Sequence, residues 1–92
     1  MITAIVFVQA ETDRIPEVAD AIASLDGVSE VYSVTGQIDL IALIRVQNHE
    51  EIATVVADRL NKVDGVVDTE THIAYRAYSR HDLEAAFSIG LD

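Results

Sequence analysis

Val34-Thr35-Gly36-Gln37-Ile38-Asp39-Leu40-Ile41-Ala42-Leu43-Ile44-Arg45-Val46 is the stretch whose reading decides the fold. It reads as the end of one strand, a tight Gly-containing turn, and a second strand apolar at nearly every position and interrupted only by Asp39 and Arg45. A strand apolar on both faces belongs in the middle of a sheet, covered on both sides. Asp39 stands at its mouth. Burying an unpaired carboxylate is too costly to persist, so Asp39 requires a ligand, a cation or a backbone amide as its partner.

Working outward, residues 2–9 form a first strand that is also apolar on both faces, with Ile2, Ala4, Val6 and Val8 on one side and Ile5 and Phe7 on the other. Asp13 is placed to cap a following helix, Pro16 falls in its first turn, and Ile15, Val18, Ala19, Ile22 and Leu25 follow at helical spacing up to Gly27. Residues 28–35 make the second strand, Gly36 and Gln37 the turn, and 38–46 the third strand. Asn48 caps a second helix with Glu50 and Glu51 in its first turn and Ile52, Val55, Val56, Leu60 and Val63 on its apolar face, ended by Gly65. Residues 66–75 make the fourth strand, with Asp68, Glu70 and His72 on one side and Val67, Thr69, Thr71, Ile73 and Tyr75 on the other.

The two halves echo each other. Leu25-Asp26-Gly27-Val28-Ser29-Glu30 recurs as Val63-Asp64-Gly65-Val66-Val67-Asp68, each at the junction of a helix with the next strand. A strand-helix-strand unit used twice predicts an α+β, ferredoxin-like βαββαβ fold, a four-stranded antiparallel sheet with two helices on one face. Crossover handedness puts the first and third strands at its centre. Two helices cover one face only. The other keeps an apolar centre, and a second copy of the sheet is its simplest cover, so a face-to-face dimer of the dimeric α+β barrel type is expected. In residues 77–92 Ser79 and Asp82 resemble a capping box before Leu83, Ala86 and Phe87, a short helix that needs a surface to dock on. The whole is one domain over 1–92, with a core over 2–76 and a docking tail.

Composition sets the outer limits. The 92 residues carry 6 basic against 16 acidic side chains, a net charge of −10, which repels phosphates and disfavours direct binding of nucleic acid or an anionic membrane. There is no cysteine, hence no disulfide, thiol nucleophile or thiolate metal site. No apolar run approaches a membrane span and residues 1–9 look like a strand rather than a signal peptide, so the expectation is a soluble cytoplasmic protein.

With these residues in place, the chain resembles the ligand-binding and oligomerisation domain of the Lrp/AsnC, or feast/famine, regulators. The resemblance rests on the Leu25-Asp26-Gly27-Val28 helix exit, the Val34-Thr35-Gly36-Gln37-Ile38-Asp39-Leu40 turn and the Gly65-Val66-Val67-Asp68-Thr69-Glu70-Thr71 stretch, in that order. It implies dimers that assemble further, often into an octamer, with amino acids or related metabolites bound at contacts between dimers. Gly36 and Asp39 match the family's effector-response turn, Gln37 flanks them, and Thr69 and Thr71 match polar positions near the same cleft. Ile38 stands where the family often has an aromatic residue. Full-length members carry an N-terminal helix-turn-helix and only Met1 precedes Ile2 here, so a stand-alone sensor module, with full-length regulators as further partners, is the expectation.

Chemistry fits that assignment. An amino acid's carboxylate wants free amides of the kind a glycine turn exposes, its ammonium wants Asp39 or carbonyl oxygens, and threonine hydroxyls complete either end. Each residue also has a plainer role. Gly36 serves its backbone angle, Asp39 accepts from turn amides, and Thr69 and Thr71 are ordinary strand formers. Asp68, Glu70 and His72 are spaced too widely along one strand for a single ion, so no metal and no cofactor is expected. Two other classes compete with the sensor. A cofactor-free enzyme of the same architecture would need an acid, base or nucleophile in a lined pocket between helices and sheet. A ligand-independent assembly partner would need only the shared sheet surface.

Overall fold

The computed structural model of the chain describes residues 1–78. Strand β1 spans Ile2–Ala10, helix α1 Ile15–Ala23, strand β2 Val28–Ser33, strand β3 Leu40–Val46, helix α2 His49–Ala53 and strand β4 Val66–Ile73. The sheet has the order β2-β3-β1-β4, every neighbouring pair antiparallel, which is the ferredoxin-like arrangement with β1 and β3 in the middle.

Register explains the layering. Ala4 faces Ile44, Val6 faces Ala42 and Val8 faces Leu40, so these six side chains share one face, and all are fully buried. Val18 and Ile22 of α1, Ile52 of α2, and Val55 and Leu60 after it close over them. Ile5 opposite Leu43 and Phe7 opposite Ile41 point the other way and are only half-buried. The open apolar face expected from the two central strands is therefore present, framed on the β2 side by Glu30 and Tyr32 and on the β4 side by Glu70 and His72.

The repeated Asp-Gly motif makes the same joint twice. Gly27 and Gly65 have φ of +94° and +97°, and their carbonyls accept from Arg45 N at 3.1 Å and Glu11 N at 2.8 Å, respectively. Each joint packs against the other half: a Cβ on Gly27 would meet Val55 Cγ2 at 2.6 Å, and one on Gly65 would meet Val18 Cγ2 at 2.6 Å. No other residue type fits either place without displacing the opposite helix.

Several local expectations are corrected. Asp13 caps nothing: a 3-10 turn, Thr12–Arg14, precedes α1, Arg14 occupies the cap position without a side-chain capping bond, and Pro16 sits in the first turn as its missing donor allows. Helix α1 ends at Ala23, before Leu25. The second helix is not uniform. After α2 the chain continues as a π-helical turn, Thr54–Arg59, and a 3-10 turn, Leu60–Lys62. The amide of Leu60 is shared between the carbonyls of Val55 and Val56, five and four residues back, and the side chains of Val55 and Leu60 both reach the core. Strands β2 and β3 stop at Ser33 and start at Leu40, so the expected tight turn is an open loop over 34–39, and β4 ends at Ile73, short of Tyr75. The tail helix expected over 79–87 lies outside the described residues.

Candidate functional site

The 34–39 loop is closed by one bond across its own ends and pinned to the end of β1 by two more. Val34 N donates to the carbonyl of Asp39 at 3.0 Å, Asp39 N donates to the carbonyl of Val8 at 3.0 Å, and Asp39 Oδ2 accepts from Ala10 N at 2.9 Å. The last bond sits beside an irregularity, because β1 and β4 shift register between Gln9 and Ala10 and leave Val67 as the extra residue. Asp39 thus holds its loop to the bulged end of β1. Its Oδ1 accepts from no protein donor among the described residues.

Gly36 has φ +117° and open space around it, so its backbone angle alone accounts for the glycine. Gln37 is exposed, and its carbonyl accepts weakly from Gln9 Nε2 at 3.4 Å. Among the described residues the amides of Thr35, Gly36, Gln37 and Ile38 donate to no protein acceptor.

Between this loop and β4 lies a cleft of about 250 Å³, formed by Phe7 and Gln9 of β1, Gln37 and Ile38 of the loop, and Asp68, Thr69 and Glu70 of β4. Of the five residues singled out in the sequence, Gln37 and Thr69 line it and Gly36 and Asp39 shape the loop above it. Thr71 is not brought to it. Thr69 and Thr71 face Val8 and Val6 across β1–β4, so their side chains stand on the helix side of the sheet, where Thr69 Oγ1 donates to Asn61 Oδ1 at 2.7 Å. Phe7 and Gln9 carried no signal in the sequence, and Asp68 and Glu70 figured there only as a metal spacing, because only the β1–β4 register, which faces Gln9 with Asp68 and Phe7 with Glu70, brings the four together.

Among the described residues no basic side chain lines the cleft. Asp68 Oδ1 accepts from Thr69 N at 2.9 Å, and Glu70 Oε2 lies 3.1 Å from His72 Nε2, whose ring meets Phe7 edge-on with centroids 5.1 Å apart. At the far edge of the open sheet face, away from the cleft, Tyr32 donates to Glu30 Oε2 at 2.7 Å, a bond that holds the phenol proton and raises its pKa above the ordinary value. Among the described residues no three His, Asp or Glu side chains converge as metal ligands, and no polar or charged side chain is buried between helices and sheet.

Fold and loop together define a ferredoxin-like α+β domain whose polar recess lies at the end of its sheet, outside an entirely apolar core. The profile of the Lrp/AsnC ligand binding domain matches residues 3–83, and the chain belongs to that family. An uncharacterized HTH-type transcriptional regulator of Pyrococcus horikoshii is 42% identical over 59 residues, 64% of this chain and 39% of that protein. The regulator YugG of Bacillus subtilis is 38% identical over 66 residues, 72% of this chain and 39% of that one. The chain spans between 39% and 49% of the length of the curated relatives it matches. Among solved structures, TTHA0845 of Thermus thermophilus superposes with a TM-score of 0.81 at 46% identity, covering 87% of this chain and 100% of that one. A regulator of Neisseria meningitidis crystallised as an L-Met complex shares the fold, with a TM-score of 0.76 at 17% identity over 86% of this chain and 53% of that one.

Proposed function

We propose that this domain senses a small metabolite, an amino acid or a close relative, and answers by changing its assembly. The carrying observation is the pairing of unsatisfied loop amides with a polar cleft outside an apolar core. Backbone amides around Gly36 and Gln37 receive the ligand's carboxylate, while Asp39 Oδ1 and the polar side chains of the cleft receive its ammonium. Thr69 borders the cleft from β4, while Thr71, on the helix side of the sheet, takes no part. Ligand held by this loop at a contact between dimers favours the assembled form through its higher affinity for that form.

The family's membership of regulators and the L-Met complex of the Neisseria protein support this reading over an enzyme. The partners are further copies of the chain, as dimers and rings of dimers such as an octamer, and full-length regulators of the family. Nucleic acid and membrane are not direct partners of so acidic a surface.

Light scattering coupled to size exclusion, with and without pooled amino acids, tests this. A shift in mass with one amino acid that Asp39→Ala abolishes is the expected result. A single fixed mass under every condition, with no heat in calorimetric titration, rejects sensing in favour of a ligand-independent assembly role.

A further inference from the structure

Resting on the face-to-face pairing of two copies but on no metabolite, we propose that the open sheet face is a pH-sensitive interface, with His72 of each copy set against a carboxylate of the other. The face has a simple plan. One row across the sheet runs Glu30, Leu43, Ile5, His72 and the next runs Tyr32, Ile41, Phe7, Glu70, so the central positions are apolar and the edge positions polar. A second copy centred on the four apolar side chains buries most of them. The twofold axis between the sheets then runs along the strands or across them. Along the strands, it lays β4 over the partner's β2 and sets His72 against the partner's Glu30. Across the strands, it lays β4 over the partner's β4, exchanges the two rows and sets His72 against the partner's Glu70. Both settings give the imidazole an opposing carboxylate.

Within its own protomer His72 has Glu70 Oε2 at 3.1 Å, while β1 sets against it the edge of Phe7 and, directly opposite, Ile5. Beyond Ile5 the face ends in a recess bordered by Arg45 and Arg76, and at its other end stand Gln9 and Asp68. At the β2 edge Glu30 accepts from Tyr32 at 2.7 Å and lies 4.0 Å from Arg45. Imidazole is the one side-chain type among these that ordinarily changes charge near neutral pH. Protonated, the ring lies between carboxylates of both copies; neutral, it leaves one carboxylate-rich rim facing another. The side chains of His72 and Glu70 are 55% and 73% exposed in one protomer, so pairing at this rim costs little solvation. The proton is therefore held more tightly in the dimer than in separate chains. Linkage then requires the dimer to tighten as pH falls through the imidazole range and to loosen as pH rises through it.

The test is sedimentation of the full chain over a range of concentrations, without added metabolite, at about pH 6 and about pH 8 and one ionic strength. The dimer is expected to dissociate about fivefold more readily at the higher pH, because the twofold axis repeats an exposed charge pair of modest strength. Where the dimer is too tight to dilute apart, Ile41→Ala trims the apolar centre and brings dissociation into range. The pair with Glu70 inside each chain is present before and after association, so only the contact across the interface is read. His72→Gln, which keeps a polar side chain without the charge, removes the difference. His49→Gln at the exposed start of α2 and His81→Gln retain it. A dissociation constant that is the same at both pH values, or a pH dependence that survives His72→Gln, overturns the proposal. Either result leaves metabolite sensing standing, since no metabolite is added. A chain that stays single at both pH values overturns the face-to-face pairing itself.

Discussion

At the scale of single residues, Asp39 shows what a sequence can and cannot disclose. A carboxylate at the mouth of an apolar strand announces that it has a partner, but Ala10 lies 29 residues away and only the folded register names it. Because Oδ2 accepts from a part-buried amide, Asp39→Ala leaves that amide unpaired and is expected to lower unfolding free energy by about 1–3 kcal/mol. Asp39→Asn keeps an acceptor oxygen and should lose clearly less. Urea denaturation of the two variants checks this, and equal losses would mean that the charge, not the acceptor, matters. The glycines separate in the same experiment. Gly36→Ala meets only the strain of φ +117°, whereas Gly65→Ala adds a 2.6 Å encounter with Val18, so the second variant should be the less stable by about 1–3 kcal/mol. Gly65 could be placed from its repeated motif; the Val18 contact could not, because it crosses between the halves.

At the scale of elements, strands were easier to read than helix ends. The alternation of Ala4, Val6 and Val8 against Ile5 and Phe7 survives in the structure because a period of two admits no third face. Helix starts depend on one hydrogen bond. Asn48 makes it, accepting from Glu51 N at 3.0 Å while Glu51 Oε2 accepts from Gln47 N at 3.0 Å. Asp13, an equally good capping type, makes none because the chain enters α1 through a 3-10 turn. Asn48→Ala is therefore expected to cost about 1 kcal/mol and Asp13→Ala less than about 0.5 kcal/mol, read as shifts in the thermal or urea midpoint. The π-helical turn was invisible for a different reason. Ile52, Val55, Val56, Leu60 and Val63 satisfy ordinary helical spacing well enough on paper, and the five-residue step from Val55 to Leu60 shows only in which side chains end up buried.

At the scale of the whole molecule, the open sheet face is the feature that the two-faced apolar pattern of the central strands foretold and that a single chain leaves unfinished. Ile5, Phe7, Ile41 and Leu43 are half-buried in one protomer, and a second copy laid face to face would complete their burial. Leu43 is the position at which to test this. It lies opposite Ile5 and Glu30, on the face away from α1 and α2, and it does not line the cleft between the 34–39 loop and β4. Glutamate there would repel Glu30 across the strand pair and weaken the protomer itself. Lysine avoids that fault, since Glu30 then offers it an opposite charge, while an ammonium at the centre of an apolar interface remains prohibitive to bury. Leu43→Lys is expected to leave the circular dichroism spectrum unchanged and to reduce the mass from light scattering to that of one chain. The ligand-dependent shift in mass should vanish with it, because contacts between dimers need dimers. A variant that keeps its full mass would move the interface to the sheet edges, where β2 and β4 each present an unpaired strand, and the open apolar face would then need a different cover.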